Sequence, residues 1–356
     1  MSRGGEIPPS AHKGRGSGSN PANRFEERRY ERLGDFPDEE RAPETRFLRD
    51  RSRSIIATND SPDIRFDASI NPYRGCEHGC AYCYARPFHE YLGFSAGLDF
   101  ETRILVKENA SVLLERELSS RSWTPRPLAL SGVTDPWQPI ERKLRITRKC
   151  LEVLRDFRNP VQAVTKNELV TRDQDLLADL AQSDAASVLI SIPTRDRKLA
   201  QKLEPRTSTP ARRFRAMETL ARAGVPVGIS ISPVIPALTD SEIPHLIEEA
   251  ARCGARYAVC VPLRLPWAVA ALFGDWLSQH FPDRRDKVLS RVRDMRGGRL
   301  NDERFTHRMT GVGVYAGQIH ALFHMSCRRH GLATEGPELS AQFFRRGNRG
   351  QYALFD

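Results

Sequence analysis

From Ala68 onward, short apolar or β-branched runs recur along the chain, each followed by a stretch with helical spacing. The runs are ASINPY, LALSG, VQAVT, VLISI, PVGISIS and YAVCV, and each predicts a strand because it is short and bounded by turn-forming residues. Between them lie amphipathic segments. One is expected from Arg142 to Phe157, where Leu144, Leu151, Val153 and Leu154 form an apolar stripe. Another has Thr209 as its N-cap and Pro210 in its first turn, runs through Phe214, Met217 and Leu220, and stops at Gly224. The next strand follows at Pro226. Repeated β-α alternation predicts an α/β fold in which a parallel sheet with right-handed crossovers closes partly into a (β/α)6 TIM-like barrel.

The pattern changes after Leu265. Trp267 to Phe281, Asp286 to Met295 and Val312 to His330 read as helices, so residues 267–356 are expected as a helical C-terminal extension with a flexible tail. Residues 1–55 are rich in Gly, Pro, Arg and Glu without sustained periodicity and predict a disordered arm, leaving 56–266 as the core. A hydrophobic content of 39% agrees with a globular chain. No uninterrupted apolar run is long enough to span a membrane, and the opening MSRGGEIPPSAHKGRGSGSN lacks a signal peptide's apolar centre, so the cytoplasm is the expected compartment. The net charge of +10 permits an acidic partner such as nucleic acid without establishing one, because much of the excess lies in Arg-rich helices and tails.

Seven cysteines, three of them crowded together, do not form a disulfide framework. Cys150, Cys253, Cys260 and Cys327 sit in apolar surroundings and read as structural thiols. The other three are Cys76, Cys80 and Cys83, in the run NPYRGCEHGCAYCY directly after the first strand of the series. Three thiolates on one tight loop suit an iron-sulfur cluster, and three ligands rather than four leave one iron open to a small chelating ligand. Gly75 and Gly79 let the backbone curl around the sulfurs. The alternative is a structural zinc site completed by His78 or His89 in a non-catalytic zinc-binding protein. Position weighs against it, since the C-terminal ends of barrel strands are where such folds place chemistry. Ser131, Gly132, Thr134, Asp135, Lys166, Asn167, Ser191, Thr194 and Ser232 stand at the other strand ends and would point into the same mouth.

A C-x3-C-x2-C spacing with the aromatic Tyr82 before its last Cys, opening a β/α series, resembles the radical S-adenosylmethionine (SAM) superfamily over about Ala68 to Pro266. The segments CAYCYA, TDPWQPIE, TKN and SPVIPALTD look most like its spore photoproduct lyase branch. The resemblance implies a partial barrel, a [4Fe-4S] cluster on Cys76, Cys80 and Cys83, and reductive cleavage of SAM to a 5′-deoxyadenosyl radical. It also implies an external one-electron donor such as flavodoxin or ferredoxin. By the same resemblance, the Tyr82 backbone faces adenine and Ser131 with Gly132 receives the methionine amino end. Lys166 with Ser191 would bind the carboxylate or ribose, and Tyr84 would take part in a hydrogen-atom relay. One departure is plain: the lyase carries a hydrogen-donating cysteine near the end of its second strand, where this chain reads Leu130-Ser131-Gly132-Val133. The expected substrate is nucleic acid, with a protein or small molecule as the alternative. At the extreme C-terminus, Gln351-Tyr352-Ala353-Leu354-Phe355 resembles the short peptide by which bacterial replication and repair proteins dock on the sliding clamp.

Overall fold

The computed structural model describes residues 12–26, 44–64, 66–130 and 132–346. Ten strands occur among them: β1 (Arg46–Arg49), β2 (Ile56–Thr58), β3 (Ala68–Ile70), β4 (Tyr73–Arg74), β5 (Arg103–Val106), β6 (Leu128–Leu130), β7 (Val161–Thr165), β8 (Ala186–Ser191), β9 (Val227–Val234) and β10 (Tyr257–Pro262). The main sheet runs β10-β9-β8-β7-β6-β3-β2, parallel throughout except for the antiparallel edge pair β2–β3. Six parallel strands in chain order make a partial barrel rather than a closed one. Among the described residues, the outer edge of β10 is met by a bridge from Ala333 to Tyr257. A small second sheet, β1-β5-β4, lies beside the entry to the cysteine loop.

Strand β8 is buried at every position, as expected for the middle of a sheet covered on both faces. The covering helices of the core are α1 (Leu98–Thr102), α2 (Ala110–Ser119), α3 (Glu141–Leu144), α4 (Ile146–Phe157), α5 (Gln174–Ala181), α6 (Arg197–Leu203), α7 (Pro210–Arg222) and α8 (Ile243–Arg252). Each longer helix buries one stripe: Phe214, Met217 and Leu220 on α7, and Ile243, Leu246, Ile247 and Ala250 on α8. The helix expected over 142–157 is broken at Arg145, whose left-handed φ of 53° separates α3 from α4. The break turns the Glu141 carboxylate inward, where it accepts hydrogen bonds from the Tyr73 hydroxyl, the Thr147 amide and Arg172.

The extension comprises α9 (Ala268–His280), α10 (Pro282–Met295), α11 (His307–Thr310) and α12 (Gly313–His330). Helices α9 and α10 form a second core with Leu199, Leu203 and Ile235, and into this core pack Cys80, Ala81 and Tyr82. The extension therefore backs the cysteine loop. No helix among the described residues is long and apolar enough to cross a membrane.

The disordered arm expected over 1–55 is corrected where the chain is described. The Gly16 amide donates to Glu101, the Leu98 amide donates to the Ser19 carbonyl, Asn23 donates to the Glu90 carbonyl, and β1 pairs with β5. Local propensity is weak there because the contacts that tie the segment to the core are distant in sequence. Gln351 to Phe355, the suggested clamp peptide, lies outside the described residues.

Candidate active site

The loop carrying the three cysteines leaves β4 through Gly75, whose φ of 79° is in the left-handed region. A Cβ there would come 3.0 Å from the Phe100 carbonyl oxygen and 3.0 Å from the His89 ring, so glycine is required twice over. Backbone bonds then fix the curl: Cys76 N–H to Phe100 O at 2.8 Å, Ala81 N–H to Leu203 O at 2.9 Å, and Cys83 N–H to Cys80 O at 3.2 Å. Arg86, fully buried, donates to the carbonyls of Cys80 (3.0 Å) and Gly97 (2.9 Å) and is neutralised by the equally buried Glu101. The segment after β6 closes the other side. Gln138 accepts the Glu77 amide at 2.9 Å, and the Glu77 carboxylate accepts the Ile140 amide at 2.7 Å.

Cys76 and Cys80 are buried and Cys83 is half-buried. Cys80 packs with Tyr82, and Cys83 touches the clusters containing both Cys80 and Cys76. Burial and the nearby Glu204 push the Cys80 thiol well above its ordinary value, with Lys166 opposing, and burial raises Cys83 while Arg86 opposes. Such thiols become thiolates only with a positive partner, which a bound cluster supplies. Three sulfurs on one loop with cationic Lys166 and Arg86 close by are a donor set suited to a [4Fe-4S] cluster. Among the described residues no group of three His, Cys, Asp or Glu side chains is close enough to hold a single metal ion. Of the two histidines of the zinc alternative, His89 keeps its Nε2 without a hydrogen-bond partner among the described residues. His78 is engaged by Asp135 (3.3 Å) and Asn167 (3.4 Å), and His89 stacks on Phe94 at 5.1 Å.

The remaining predicted residues meet around this loop. The Tyr84 hydroxyl donates to the Gly132 carbonyl at 2.7 Å, joining the end of the cysteine loop to the end of β6. The Lys166 ammonium lies 6.0 Å over the Tyr82 ring, and both Cys80 and Glu204 hold its pKa up against burial. Ser191 stands at the end of β8 with its hydroxyl donated to the Ser232 carbonyl at 3.3 Å. Ser131 lies outside the described residues.

Several supporting residues escaped the sequence reading. Asn71, at the end of β3, accepts the amides of Gly132 (2.9 Å) and Val133 (3.1 Å) and so shapes the turn at the end of β6. Asp135, placed only as a strand-end polar group, accepts the Thr165 hydroxyl (2.8 Å) and the Lys166 amide (2.7 Å), fixing where Lys166 departs from β7. Beneath Tyr82, Glu204 accepts its hydroxyl and pairs with Arg213, which donates to the Ser191 carbonyl at 2.8 Å. Asn71 and Asp135 could have been singled out within NPY and TDPWQPIE. Glu204 and Arg213 carry no local signal.

An uncharacterised protein of Mycobacterium tuberculosis is 34% identical over 234 residues, covering 65% of this chain and 68% of its own length. An uncharacterised protein of Methanocaldococcus jannaschii is 30% identical over 173 residues, covering 49% of this chain and 62% of its own. Among solved structures, spore photoproduct lyase complexed with dinucleoside spore photoproduct superposes with a TM-score of 0.59 at 17% identity, covering 81% of each chain. A variant of that lyase with bound AdoMet and the same dinucleoside gives a TM-score of 0.57 at 17% identity, covering 81% of this chain and 80% of its own. At such identity the likeness concerns the fold. The family model for the Radical SAM superfamily matches residues 70–250, from the end of β3 to the end of α8, and the chain belongs to that superfamily.

Proposed function

We propose that this chain is a radical SAM enzyme that acts on nucleic acid as a lyase or modifying enzyme, with Cys76, Cys80 and Cys83 holding its [4Fe-4S] cluster. The observation that carries the reading is the cysteine loop itself, with the buried Cys76 and Cys80 and the half-buried Cys83 set near the C-terminal ends of parallel strands, and Lys166 close to Cys80. When bound, the cluster supplies one electron that cleaves SAM to a 5′-deoxyadenosyl radical. The protein's part is to bind, orient and exclude water. Gly132, with Ser131 beside it, takes the amino end of SAM, Lys166 takes the carboxylate as a point charge, and Ser191 exchanges its bond to Ser232 for one to the ligand. The Tyr82 backbone faces the adenine. Tyr84 stands between the loop and the end of β6 as a relay residue for a hydrogen atom. This chain has no cysteine beside it on β6, so its relay differs from that of the lyase.

Nucleic acid is favoured as substrate by the net charge of +10 and by the fold shared with an enzyme solved in complex with a dinucleoside. Anaerobic reconstitution with iron and sulfide should give a brown protein absorbing near 400 nm that converts SAM to 5′-deoxyadenosine under dithionite. Replacing any one of Cys76, Cys80 or Cys83 by Ala should abolish both signals, whereas Cys327→Ala should keep them. A Cys80→Ala protein that retained the chromophore would remove the cluster assignment.

A further inference from the structure

The loop after β10 brings Arg264 to the mouth of the partial barrel, with its guanidinium 4.9 Å over the ring of Tyr84. Among the described residues it makes no hydrogen bond and no ion pair. The carboxylate within its field is Asp63, and Asp63 is already held by Arg308 at 2.8 Å and by the Thr306 amide at 2.9 Å. Arg296, buried beneath, spends its guanidinium on the backbone carbonyls of Pro262, Leu263 and His307 instead of a carboxylate. Arg264 and Arg308 thus share Asp63 at this rim, while Arg296 lies in the field of Asp302. A half-buried cation without a partner is costly until an anion completes it.

Next to this charge stands a set of exposed rings. Trp267, three residues on, is 50% exposed on a backbone with a φ of 46°, which a bulky residue adopts only under strain. Arg24, itself paired with Glu90, covers the Trp267 ring at 4.2 Å and reaches Phe25 at 5.0 Å. Phe25 stacks on Tyr91 at 4.7 Å, and these two rings are 56% and 66% exposed. Tyr91 belongs to the helical turn Arg86–Leu92 that directly follows the cysteine loop. Aromatic side chains are ordinarily buried for their area, and an exposed series beginning at a catalytic mouth asks for a flat apolar ligand that carries negative charge.

We propose that Arg264 and these rings form a docking track for single-stranded or locally unpaired nucleic acid. One backbone phosphate sits on Arg264 beside Tyr84, and successive bases stack on Trp267 and on the Phe25–Tyr91 pair. The proposal rests on the nucleic-acid reading given above and specifies the form in which the substrate is met. An unpaired strand offers the π-faces that the rings need, whereas a duplex hides them. An acidic peptide would satisfy Arg264 and leave the rings unused.

The test is fluorescence anisotropy of the reconstituted full chain with a labelled oligothymidine, beside a duplex of the same length, across a salt series. The wild type should prefer the single strand. Arg264→Gln should flatten the dependence of log affinity on log salt by about 0.7, the contribution of one phosphate contact, and Arg264→Lys should restore it. Trp267→Ala should weaken binding roughly tenfold at unchanged salt dependence, as expected for loss of one stacked base. Iron content and absorbance near 400 nm report whether each variant keeps its fold. If the wild type binds no nucleic acid, the functional reading itself falls. If it binds normally and the Arg264 and Trp267 variants bind alike, the track alone falls. Tighter Arg264-dependent binding of an acidic peptide than of the oligonucleotide would overturn the proposal in favour of a protein substrate.

Discussion

Lys166 is placed by its backbone: its amide is fixed by Asp135 at 2.7 Å, and its ammonium is left near Tyr82 and the Cys80 sulfur. Lys166→Ala should therefore leave the cluster intact and weaken SAM binding by about tenfold to a hundredfold, the loss of a charge-assisted bond of about 1.5–3 kcal/mol. Ser191→Ala should cost less, because its hydroxyl must first leave Ser232. Equilibrium dialysis of the reconstituted variants checks both, and unchanged affinity in Lys166→Ala would remove it from the site. His89 behaves differently. Its ring lies between Phe94 and Phe100, its Nε2 has no hydrogen-bond partner among the described residues, and burial lowers its pKa from 6.5 to about 4 despite Asp99. Below pH 6.5 the unfolded chain takes up a proton that the folded one refuses until about pH 4. The neutral ring's contribution is thus fully present above 6.5 and is lost on acidification through that window, by up to about 3 kcal/mol. Urea midpoints from pH 7 downward should fall less steeply in His89→Gln than in the wild type. The cysteines were legible because their spacing is itself the signal. His89 was not, since a burial-driven shift depends on Phe94 and Phe100, which only the fold brings against it.

At the scale of elements, the strands that could be read beforehand are those of the parallel sheet, where burial on both faces writes a continuous apolar run such as Ala186–Ser191. Strands β1, β2, β4 and β5 were missed. They are two to four residues long, and β1 is exposed at every position, so pairing with β5 alone defines it. The break between α3 and α4 was missed for a related reason. The apolar stripe continues through it, and only the inward turn of Glu141 toward Tyr73 and Arg172 requires the left-handed Arg145. Between elements, one polar group does much of the joining. Arg213 on α7 pairs with Glu204 at the end of α6, which receives the Tyr82 hydroxyl, and Arg213 also holds the Ser191 carbonyl of β8 and the Ser208 carbonyl at 2.7 Å. Both charged groups are about 1% exposed. Removing one partner leaves the other charged in a dry interior, so Arg213→Ala should destabilise the fold by about 3–5 kcal/mol. Arg213→Lys should recover only part, because one ammonium cannot reproduce a forked guanidinium. Denaturation midpoints decide it, and a loss below about 1 kcal/mol would show that the pair is not the joint described here.

Over the whole molecule, the cysteine loop is enclosed by segments from both ends of the chain: helices α9 and α10 behind it, and the stretch around Gly16 across its front. The second was read in the sequence as a disordered arm, yet its backbone lies directly against the loop. A Cβ on Gly16 would fall 1.6 Å from the Gly79 carbonyl oxygen, and one on Gly97 would fall 2.0 Å from the Ser19 carbonyl oxygen. These are backbone contacts, so no change of rotamer can relieve them. The same strap is wired to the loop by charge: the Gly16 amide donates to Glu101 at 3.0 Å, Glu101 neutralises Arg86, and Arg86 holds the Cys80 carbonyl at 3.0 Å. Whatever displaces residues 12–26 must therefore loosen the backbone of Cys80, one of the proposed cluster ligands. Gly16→Ala should force strap and loop apart, raising the rate of cluster bleaching in air and exposing the strap to protease, while the sheet, whose strands lie elsewhere, keeps its far-ultraviolet spectrum. Deleting residues 1–26 should bleach the cluster at least as fast, since it removes the Gly16 bond and leaves buried Glu101 and Arg86 open to solvent. Bleaching half-lives equal to the wild type in both variants would mean that the strap packs on the loop without supporting it.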